Sequence, residues 1–449
     1  NLGMDSSDRA TVGDYVTLVR GTTYKGSLVG KPGPALLGLG SIEPGGGFRI
    51  GHYKTYGGEC PPELMLSPGD IYASLKGATK DNKMIGSVAR VPSAVPAGRL
   101  TQDTVKLVFR DQCSEYASYL HWVLRTPQYR EYCAGHAIGS AVVALGRHDF
   151  LSYPVPQPTA ERRAIVAVLD AIEERIELNR RMNETLEAVA RALFKSWFVD
   201  FDPVRAKLEG RDVRLPETLA CLFPDTFEDS ELGEIPKGWR LTSLGDQFDA
   251  VKGVSYKGSG LSDSGTPLHN LNSVYEGGGY KYEGIKYYNG EYASRHIVEP
   301  GDVIVANTEQ GHDRLLIGYA AIVPRLFGNE GIASHHIYRL RPKSRGALTA
   351  VYSCHLLNSP EMHDRVSGYA NGTTVNMLPA AGVQQPTIVL PPRGLVDKFD
   401  DFGRQVEARR EQMVAESSTL ATLRDTLLPK LISGELRVKQ AEKQIEAVV

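Results

Sequence analysis

Residues 159–198 read TAERRAIVAVLDAIEERIELNRRMNETLEAVARALFKSWF, and this stretch decides the fold class of the chain. It contains neither glycine nor proline, and its apolar residues recur at alternating steps of four and three. This spacing averages about 3.5 residues and predicts a long helix with one apolar seam, as in a coiled coil. A second stretch after Pro392 has the same spacing. The predicted seam positions of the two helices are Ile165, Leu169, Ile172, Ile176, Asn179, Asn183, Leu186, Leu193, Trp197, Phe399, Val406, Met413, Leu420, Leu427 and Leu431.

The predicted bounds of these helices are 158–201 and 392–437. Asp202-Pro203 ends the first helix, because proline disfavours helical geometry in the preceding residue, and Gly434 ends the second. Each seam must be covered, and the first partner to consider is the other helix. An antiparallel pair would form a rod of about 58 Å, in which Asn179 and Asn183 fix the register. Alternatively, each helix packs on its own globule as an ordinary core helix.

The chain repeats itself at a nearly constant offset. Gly21-Thr-Thr-Tyr-Lys-Gly-Ser27 returns 232 residues later as Gly253-Val-Ser-Tyr-Lys-Gly-Ser259, and Pro68-Gly-Asp returns at Pro300-Gly-Asp with the same shift. Leu124-Arg-Thr-Pro127 matches Leu357-Asn-Ser-Pro360 at a shift of 233. Several matches at one offset indicate a tandem duplication of a unit longer than 200 residues.

We therefore predict an α+β fold of two mixed α/β globules separated by a pair of long antiparallel coiled-coil helices, with a pseudo-two-fold internal repeat. The globules span 13–157 and 239–391, an ordered connector spans 202–238, and a tail spans 438–449. Predicted strands are Val12–Val19, Gly69–Leu75, Val105–Phe109, Asp302–Ala306 and Leu316–Val323, and predicted short helices are Ser118–Leu124 and Thr349–Leu357.

The composition is that of a globular protein. Hydrophobic residues make up 41% and charged residues 23%, and the formal net charge is −2 from 51 basic and 53 acidic residues. That balance lacks the basic excess usual in nucleic-acid binders, but a mildly basic first globule and an acidic connector offset each other. No apolar run is long enough to cross a bilayer, no signal peptide is expected, and the cysteines are scattered, so we expect a cytoplasmic protein.

The motifs of common catalytic sites are missing from the sequence. There is no GxxxxGK[ST] phosphate loop, no complete dinucleotide fingerprint and no Asn-Pro-Pro-aromatic motif of adenine methylation. His335 and His336 are adjacent, so in a strand they would point to opposite faces, unlike a zinc pair, and we assign them a structural role. We expect no catalytic residue, metal site or cofactor in this chain.

Each globule instead carries two polar loops at equivalent positions. Lys and Arg suit phosphates and guanine edges, and Asn and Gln suit adenine edges, although loops are usually polar for other reasons too. The DNA-binding candidates of the first globule are Lys25, Lys76, Thr79, Lys80, Asn82, Lys83, Arg147 and His148. Those of the second are Lys257, Asn307, Thr308, Gln310, His312, Arg314, Asn371, Thr373, Thr374 and Asn376.

Two segments of the chain resemble regions of a known family. Glu161-Arg-Arg-Ala-Ile-Val-Ala-Val-Leu-Asp170, continuing to Leu193-Phe-Lys-Ser-Trp-Phe-Val-Asp-Phe-Asp-Pro203, resembles the central conserved region of type I restriction-modification specificity subunits. Leu423-Arg-Asp-Thr-Leu-Leu-Pro-Lys-Leu-Ile-Ser-Gly-Glu-Leu436 resembles the distal conserved region of that family. With the two globules, the resemblance covers residues 13–437.

The resemblance implies a non-catalytic DNA-recognition subunit. Each globule would be a target recognition domain reading one half of a bipartite double-stranded DNA site, and the helices would set the spacer. Two methyltransferase (M) subunits with S-adenosylmethionine, and two restriction (R) subunits with ATP and Mg²⁺, would be the partners. The second globule departs from expectation because it has no basic excess, so its DNA face must be a local basic patch or depend on partner subunits.

Two other functions remain open from the sequence. The chain could be a non-catalytic scaffold that presents two ligand-binding globules on a coiled coil. A stand-alone enzyme would require a catalytic cluster, which the sequence does not show.

Overall fold

A computed structural model describes residues 10–77, 83–111, 114–139, 143–310, 313–343, 346–372 and 375–430; the side chains of Ser114 and Gln310 lie outside this description. The chain divides into two compact units. The first unit comprises Asn1–Leu178 and Glu416–Val449, and the second comprises Asn179–Ala415. Each unit contains a mixed α/β globule and segments of two long helices.

The elements of the first unit follow in chain order. Its strands are β1 (Val16–Arg20), β2 (Ala35–Leu37), β3 (Met65–Leu66), β4 (Ile71–Ser74), β5 (Val88–Arg90), β6 (Gly98–Leu100), β7 (Thr104–Phe109), β8 (Ala137–Ile138) and β9 (Ala144–Leu145). Its helices are α1 (Val12–Tyr15), α2 (Ser114–Val123), α3 (Pro127–His136), α4 (Arg147–Leu151) and the beginning of α5 (Ala160–Phe198).

The second unit opens, after the rest of α5, with α6 (Asp202–Leu208), α7 (Glu217–Ala220), β10 (Phe227–Ser230) and β11 (Gly233–Pro236). Its further strands are β12 (Arg240–Ser243), β13 (Phe248–Lys252), β14 (Leu261–Ser262), β15 (Thr266–His269), β16 (Lys286–Tyr288), β17 (Ile297–Val298), β18 (Val303–Ala306), β19 (Thr308–Gln310), β20 (Ala320–Ile322), β21 (Gly331–Ala333), β22 (Ile337–Pro342), β23 (Val375–Met377) and β24 (Thr387–Leu390). Its further helices are α8 (Leu244–Gln247), α9 (Ala350–Leu357), α10 (Pro360–Ser367), α11 (Ala380–Gln384) and most of α12 (Arg393–Leu427).

The central sheets of the two globules have the same topology. The first has strand order β1-β7-β4-β5 and the second β13-β22-β18-β20, and all neighbours in both are antiparallel. Ser74 lies opposite Thr104 in the first sheet, and Ala306 lies opposite Ile337 in the second. These pairs define which positions of the two globules correspond.

The prediction of a strand over Val12–Val19 is wrong in its first half. Val12–Tyr15 forms the short helix α1, and the strand begins only at Val16. Asp14 accepts hydrogen bonds from the backbone amide and the hydroxyl of Thr11, which stabilises the helical turn. The predicted strand Leu316–Val323 is likewise reduced to Ala320–Ile322.

In the first unit, the beginning of α5 and the end of α12 pack together with the globule. Ile165, Leu169, Leu420 and Leu427 lie in one buried cluster with side chains of the sheet and of α2. Arg175 of α5 forms an ion pair with Glu416 of α12, with 2.7 Å between Nε and Oε1. Within this unit, the segments of the two helices therefore contact both each other and the globule.

In the second unit, the end of α5 packs on the beginning of α12. The rings of Phe194 and Phe198 lie 5.4 and 5.5 Å from that of Phe399, and Glu187 pairs with Arg410 at 2.8 Å. Phe194 follows Glu187 in α5, whereas its partner Phe399 precedes Arg410 in α12. These two helix segments therefore run antiparallel. This cluster also includes globule side chains such as Tyr352.

The helix ends differ from the prediction. Helix α5 ends at Phe198, and Asp202-Pro203 begins the next helix, α6, because proline fits the first turn of a helix, where its missing amide has no intrahelical partner. Helix α12 ends at Leu427, and the predicted stop at Gly434 lies outside the described residues.

Among the predicted seam residues, the buried ones are Ile165, Leu169, Ile172, Asn179, Trp197, Phe399, Val406, Met413, Leu420 and Leu427, and the half-buried ones are Ile176, Asn183, Leu186 and Leu193. Leu431 lies outside the described residues. None of the helices in the described ranges combines the length and apolar character needed to span a membrane.

Candidate nucleic-acid interface

One edge of the first central sheet gathers the polar candidates of that globule. Because neighbouring strands are antiparallel, β1 and β4 end where β7 and β5 begin. Lys25 follows the end of β1, Lys76 follows the end of β4, and Lys83 precedes β5. Residues far apart in the sequence are thereby brought to one edge.

The second sheet places its candidates in the same way. Lys257 follows β13, Asn307 and Thr308 follow β18, and Arg314 precedes β20. His335 and His336 occupy the turn before β22 at this edge. The sheet topology therefore gives the two globules corresponding polar edges.

The late loop of each globule joins the early loop at this edge. Lys76 forms a bridge with Ala144, and the amide of Gly77 donates to the carbonyl of Val143 at 2.7 Å. In the second unit, β19 and β23 form an antiparallel ladder in which Thr308 lies opposite Met377. The two polar loops that the sequence suggested separately thus form one surface in each globule.

Two glycines, directly after β1 and β13, permit another close approach of the backbone at these edges. A Cβ atom on Gly21 would lie 1.9 Å from the carbonyl oxygen of Thr101, and one on Gly253 would lie 2.2 Å from that of Ser334. No side chain can occupy such a position without moving the backbone. This explains why the repeated motifs that carry Lys25 and Lys257 both begin with glycine.

The candidates differ in exposure. The exposed ones are Lys25, Lys83, Arg147, His148, Lys257, Arg314 and Asn371, and Lys76 is half-buried. Asn307, Thr308 and Asn376 are buried, so they lie beneath the surface rather than on it. Thr79, Lys80, Asn82, His312, Thr373 and Thr374 lie outside the described residues, and Gln310 lies in β19 without a described side chain.

A pair of side chains stands at the same place in both edges. In the first globule, Nζ of Lys76 lies 2.6 Å from Oδ1 of Asp103. In the second, Oγ1 of Thr308 lies 2.9 Å from Nδ1 of His336. The strand registers make these pairs equivalent. Lys76 and Thr308 each lie two positions after the end of a central strand, β4 or β18. Asp103 and His336 each directly precede the strand that pairs with it, β7 or β22. The geometry is retained while the chemistry changes from an ion pair to a neutral hydrogen bond.

The histidines of the second edge are half-buried and lie in a cationic environment. Burial and then the charge of Lys252 lower the pKa of His335. Burial, His335 and Lys252 lower the pKa of His336. Lys252, at the end of β13, is itself exposed. The two rings lie 3.7 Å apart between centroids, and both are largely neutral at pH 7.

Sequence reasoning missed three members of these edges. Asp103, Lys252 and His336 were not among the candidates, and the histidine was assigned a structural role. The sequence offset could have linked Asp103 with His336, because His336 lies 233 residues after Asp103 and directly precedes the matching strand. Among the described residues, no group of three or more His, Cys, Asp or Glu side chains could hold a metal ion.

No family model matches the chain. It is 23% identical over 339 residues to the "Type I restriction enzyme MjaIX specificity subunit" of Methanocaldococcus jannaschii, covering 72% of this chain and 70% of the relative. It is 26% identical over 336 residues to the "Type I restriction enzyme HindI specificity subunit" of Haemophilus influenzae, covering 64% of this chain and 69% of the relative.

A solved structure has a similar fold. It is the crystal structure of a type-I restriction-modification system S subunit from M. genitalium. It superimposes with a TM-score of 0.53 at 14% sequence identity, covering 96% of this chain and 98% of that one.

Proposed function

We propose that this chain, a relative of the type I restriction enzyme specificity subunits, is the DNA-recognition subunit of a type I restriction-modification complex. Each globule reads one half of a bipartite site through its polar sheet edge. The observation that carries this proposal is the convergence of the separate polar loops on corresponding edges of two sheets with the same strand order. An edge built from loops offers donors and acceptors to base edges while the sheet holds their spacing.

The internal repeat and the coiled coil belong to this proposal. The matching sheets and the constant sequence offset support a duplicated unit. The antiparallel contacts of α5 and α12 within each unit support a coiled coil that sets the number of unspecified base pairs between the half-sites. Unlike residues at equivalent positions, such as Lys76 and Thr308, let the two globules read different sequences.

The chemistry is supplied by partners. We propose two methyltransferase subunits that carry S-adenosylmethionine and two restriction subunits that use ATP and Mg²⁺, with this chain acting in the cytoplasm as a non-catalytic subunit. The sequence relatives are specificity subunits by name, which supports that assignment.

Shortening the helices tests the spacer. Deleting 176–182 from α5 and 412–418 from α12 removes seven residues, about two helical turns or 10.5 Å, from each helix. At about 3.4 Å per base pair, the preferred spacer should shorten by roughly three base pairs while both half-sites stay the same. The measurement is methylation mapping across a host genome that carries this chain with its methyltransferase subunits.

The matched control deletes 176–180 and 414–418, which removes five residues, about 1.4 helical turns, from each helix and rotates the apolar seam by roughly 140°. This variant should lose activity instead of shifting the spacer. Altered half-sites with an unchanged spacer in the seven-residue variant would contradict the role of the helices. No methylation pattern with the unaltered chain would contradict the proposed function itself.

A further inference from the structure

The turn before β22 holds polar atoms that lack partners. Asn307 and Ser334 are 1% and 0% exposed, yet Oδ1 of Asn307 and Oγ of Ser334 have no hydrogen-bond partner among the described residues, and neither has Nδ1 of His335. The three residues are contiguous in space, because Nδ2 of Asn307 donates to the carbonyl of His335 at 3.1 Å. Buried polar groups without partners cost about 1–3 kcal/mol each, so their clustering at one place calls for a function.

Thr308 fixes the orientation of the neighbouring His336 ring. Its hydroxyl contacts Nδ1 at 2.9 Å, and the ring is half-buried rather than enclosed. Thr308 is itself held in the β19–β23 ladder. The ring is therefore positioned from one side and available from the other.

The charges around this turn have one sign. The charge of Lys252 lowers the pKa of both histidines, and His335 also lowers the pKa of His336. The other described groups that contact the pair are uncharged: Thr308 at His336, and Tyr256, whose ring centroid lies 6.3 Å from that of His335. Oxygen atoms of a phosphodiester suit such a place, because lysine and imidazolium donate charge-assisted hydrogen bonds to them.

We propose that His336, positioned by Thr308 and assisted by Lys252, binds a DNA phosphate at the second globule and takes up a proton as it binds. This inference rests on the proposed function and names the chemistry of one contact within it. The neutral ring of the free protein becomes imidazolium once the phosphate supplies negative charge. The second globule, which has no basic excess in its sequence, thereby gains positive charge only where DNA is present.

The first globule does not have this behaviour. At the equivalent place, Lys76 already forms an ion pair with Asp103, with 2.6 Å between Nζ and Oδ1. At this position, proton-linked binding is therefore expected only in the second globule, and the first provides the internal comparison.

The test is DNA affinity as a function of pH. The full chain with its co-expressed methyltransferase subunits binds a labelled random-sequence 40-base-pair duplex, followed by fluorescence anisotropy between pH 6 and pH 8 at constant salt. Uptake of one proton strengthens binding by up to about tenfold per pH unit as the pH falls. We expect an affinity gain of about tenfold over this range, and we expect His336→Gln to flatten it.

Two further variants separate binding from folding. Thr308→Val retains the shape but loses the hydroxyl that orients the ring, so the pH-dependent gain should shrink while the fold, measured by circular dichroism, stays intact. Lys252→Gln should reduce the slope of log affinity against log salt by about one. His296→Gln is the matched control, because His296 is another half-buried histidine of this unit whose pKa is lowered by burial and by Arg295 and Arg339.

The outcomes are distinct. If the pH profile of the unaltered complex equals that of His336→Gln, or if His296→Gln also flattens it, the inference is wrong although the complex binds DNA. If the unaltered complex does not bind the duplex at any pH, the proposed function fails first. A flat profile in His336→Gln and a reduced gain in Thr308→Val, with His296→Gln unchanged, supports the inference, and an undiminished gain in Thr308→Val contradicts it.

Discussion

Two triglycine turns, one in each unit, have the same backbone conformation but contact different side chains. Gly45–Gly47 and Gly277–Gly279 lie 232 residues apart, and all six residues have positive φ. A Cβ atom on Gly46 would lie 2.8 Å from Cγ of Arg125, and one on Gly278 would lie 2.3 Å from Cγ of Asn358. These turns allow a side chain of the globule to pass closely, but that side chain is an arginine in one unit and an asparagine in the other.

In the first unit, ion pairs tie the globule to α5. Arg90 and Arg125 of the globule both bind Glu173 at 2.9 Å, and Arg90 also binds Asp170 at 2.9 Å. Burial acts to raise the pKa of Glu173, but the hydrogen bond with His121 and the charges of the arginines hold it well below its usual range. Glu173 is therefore an ionised anchor.

In the second unit, the charges lie within the helix pair. Asn358 bonds the backbone of Ala320, at 2.8 Å to its amide and 3.0 Å to its carbonyl. Arg410 of α12 pairs with Glu187 of α5 at 2.8 Å and with Glu407 at 2.9 Å. Burial raises the pKa of Glu407, the opposite direction to Glu173. The comparison teaches that the two triglycine turns share a backbone geometry, while the charged side chains near them are paired differently in each unit.

Removing the anchor should have the largest effect. Glu173→Ala leaves Arg125, whose side chain is 5% exposed, without its carboxylate, and should destabilise the first unit by about 3–5 kcal/mol. Glu407→Ala should destabilise the second unit clearly less, because Arg410 retains its ion pair with Glu187. Hydrogen exchange of amides in α2 and in α9 measures each unit separately, which suits a chain without a single two-state transition. Equal losses in both units would contradict the comparison.

Mild acid should weaken the first unit through His121. Burial lowers the pKa of this histidine to about 4, and the unfolded chain has a value of about 6.5, so the unfolded state binds more protons between these limits. Stability is then fully present above pH 6.5 and falls as the pH is lowered toward 4, by about 2 kcal/mol at pH 5.

The equivalent position in the second unit is Cys354, so His121→Cys gives the first unit the chemistry of the second. Exchange of α2 amides at pH 7 and pH 5, corrected for the intrinsic exchange rate, should show the loss in the unaltered chain and a smaller loss in this variant. An unchanged loss in His121→Cys would assign the acid sensitivity to other groups.

The smallest effect is expected at the ion pair between the helices of the first unit. The side chain of Arg175 is 41% exposed, so Arg175→Ala should cost about 0–1 kcal/mol and less still at high salt. Arg410→Ala, at a side chain 15% exposed, should cost more because Glu187 and Glu407 are left together. Thermal unfolding of the two variants at low and high salt measures the loss of stability in each.

The long helices were predictable because their apolar spacing is local information. The predicted span 158–201 differs by only two or three residues at each end from Ala160–Phe198.

The segment Val12–Val19 was misassigned because its alternating apolar residues masked the Thr11–Asp14 helical turn. The burial of Thr308 and Asn376 depends on pairing between strands far apart in the sequence, which no local pattern shows. The triglycine turns, by contrast, lie at the same offset as the repeated motifs and could have been found with them.

The discontinuous make-up of the first unit affects the order in which the chain matures during synthesis. Its core needs Leu420, Leu427 and Leu428 beside Ile165 and Leu169, whereas the second unit is formed by continuous chain. At about 5–20 residues per second, the ribosome needs roughly 10 s to a minute to supply those leucines after the start of α5 is made. The half of the protein that is translated first is therefore completed last, and its apolar helix face stays accessible to chaperones in the interval.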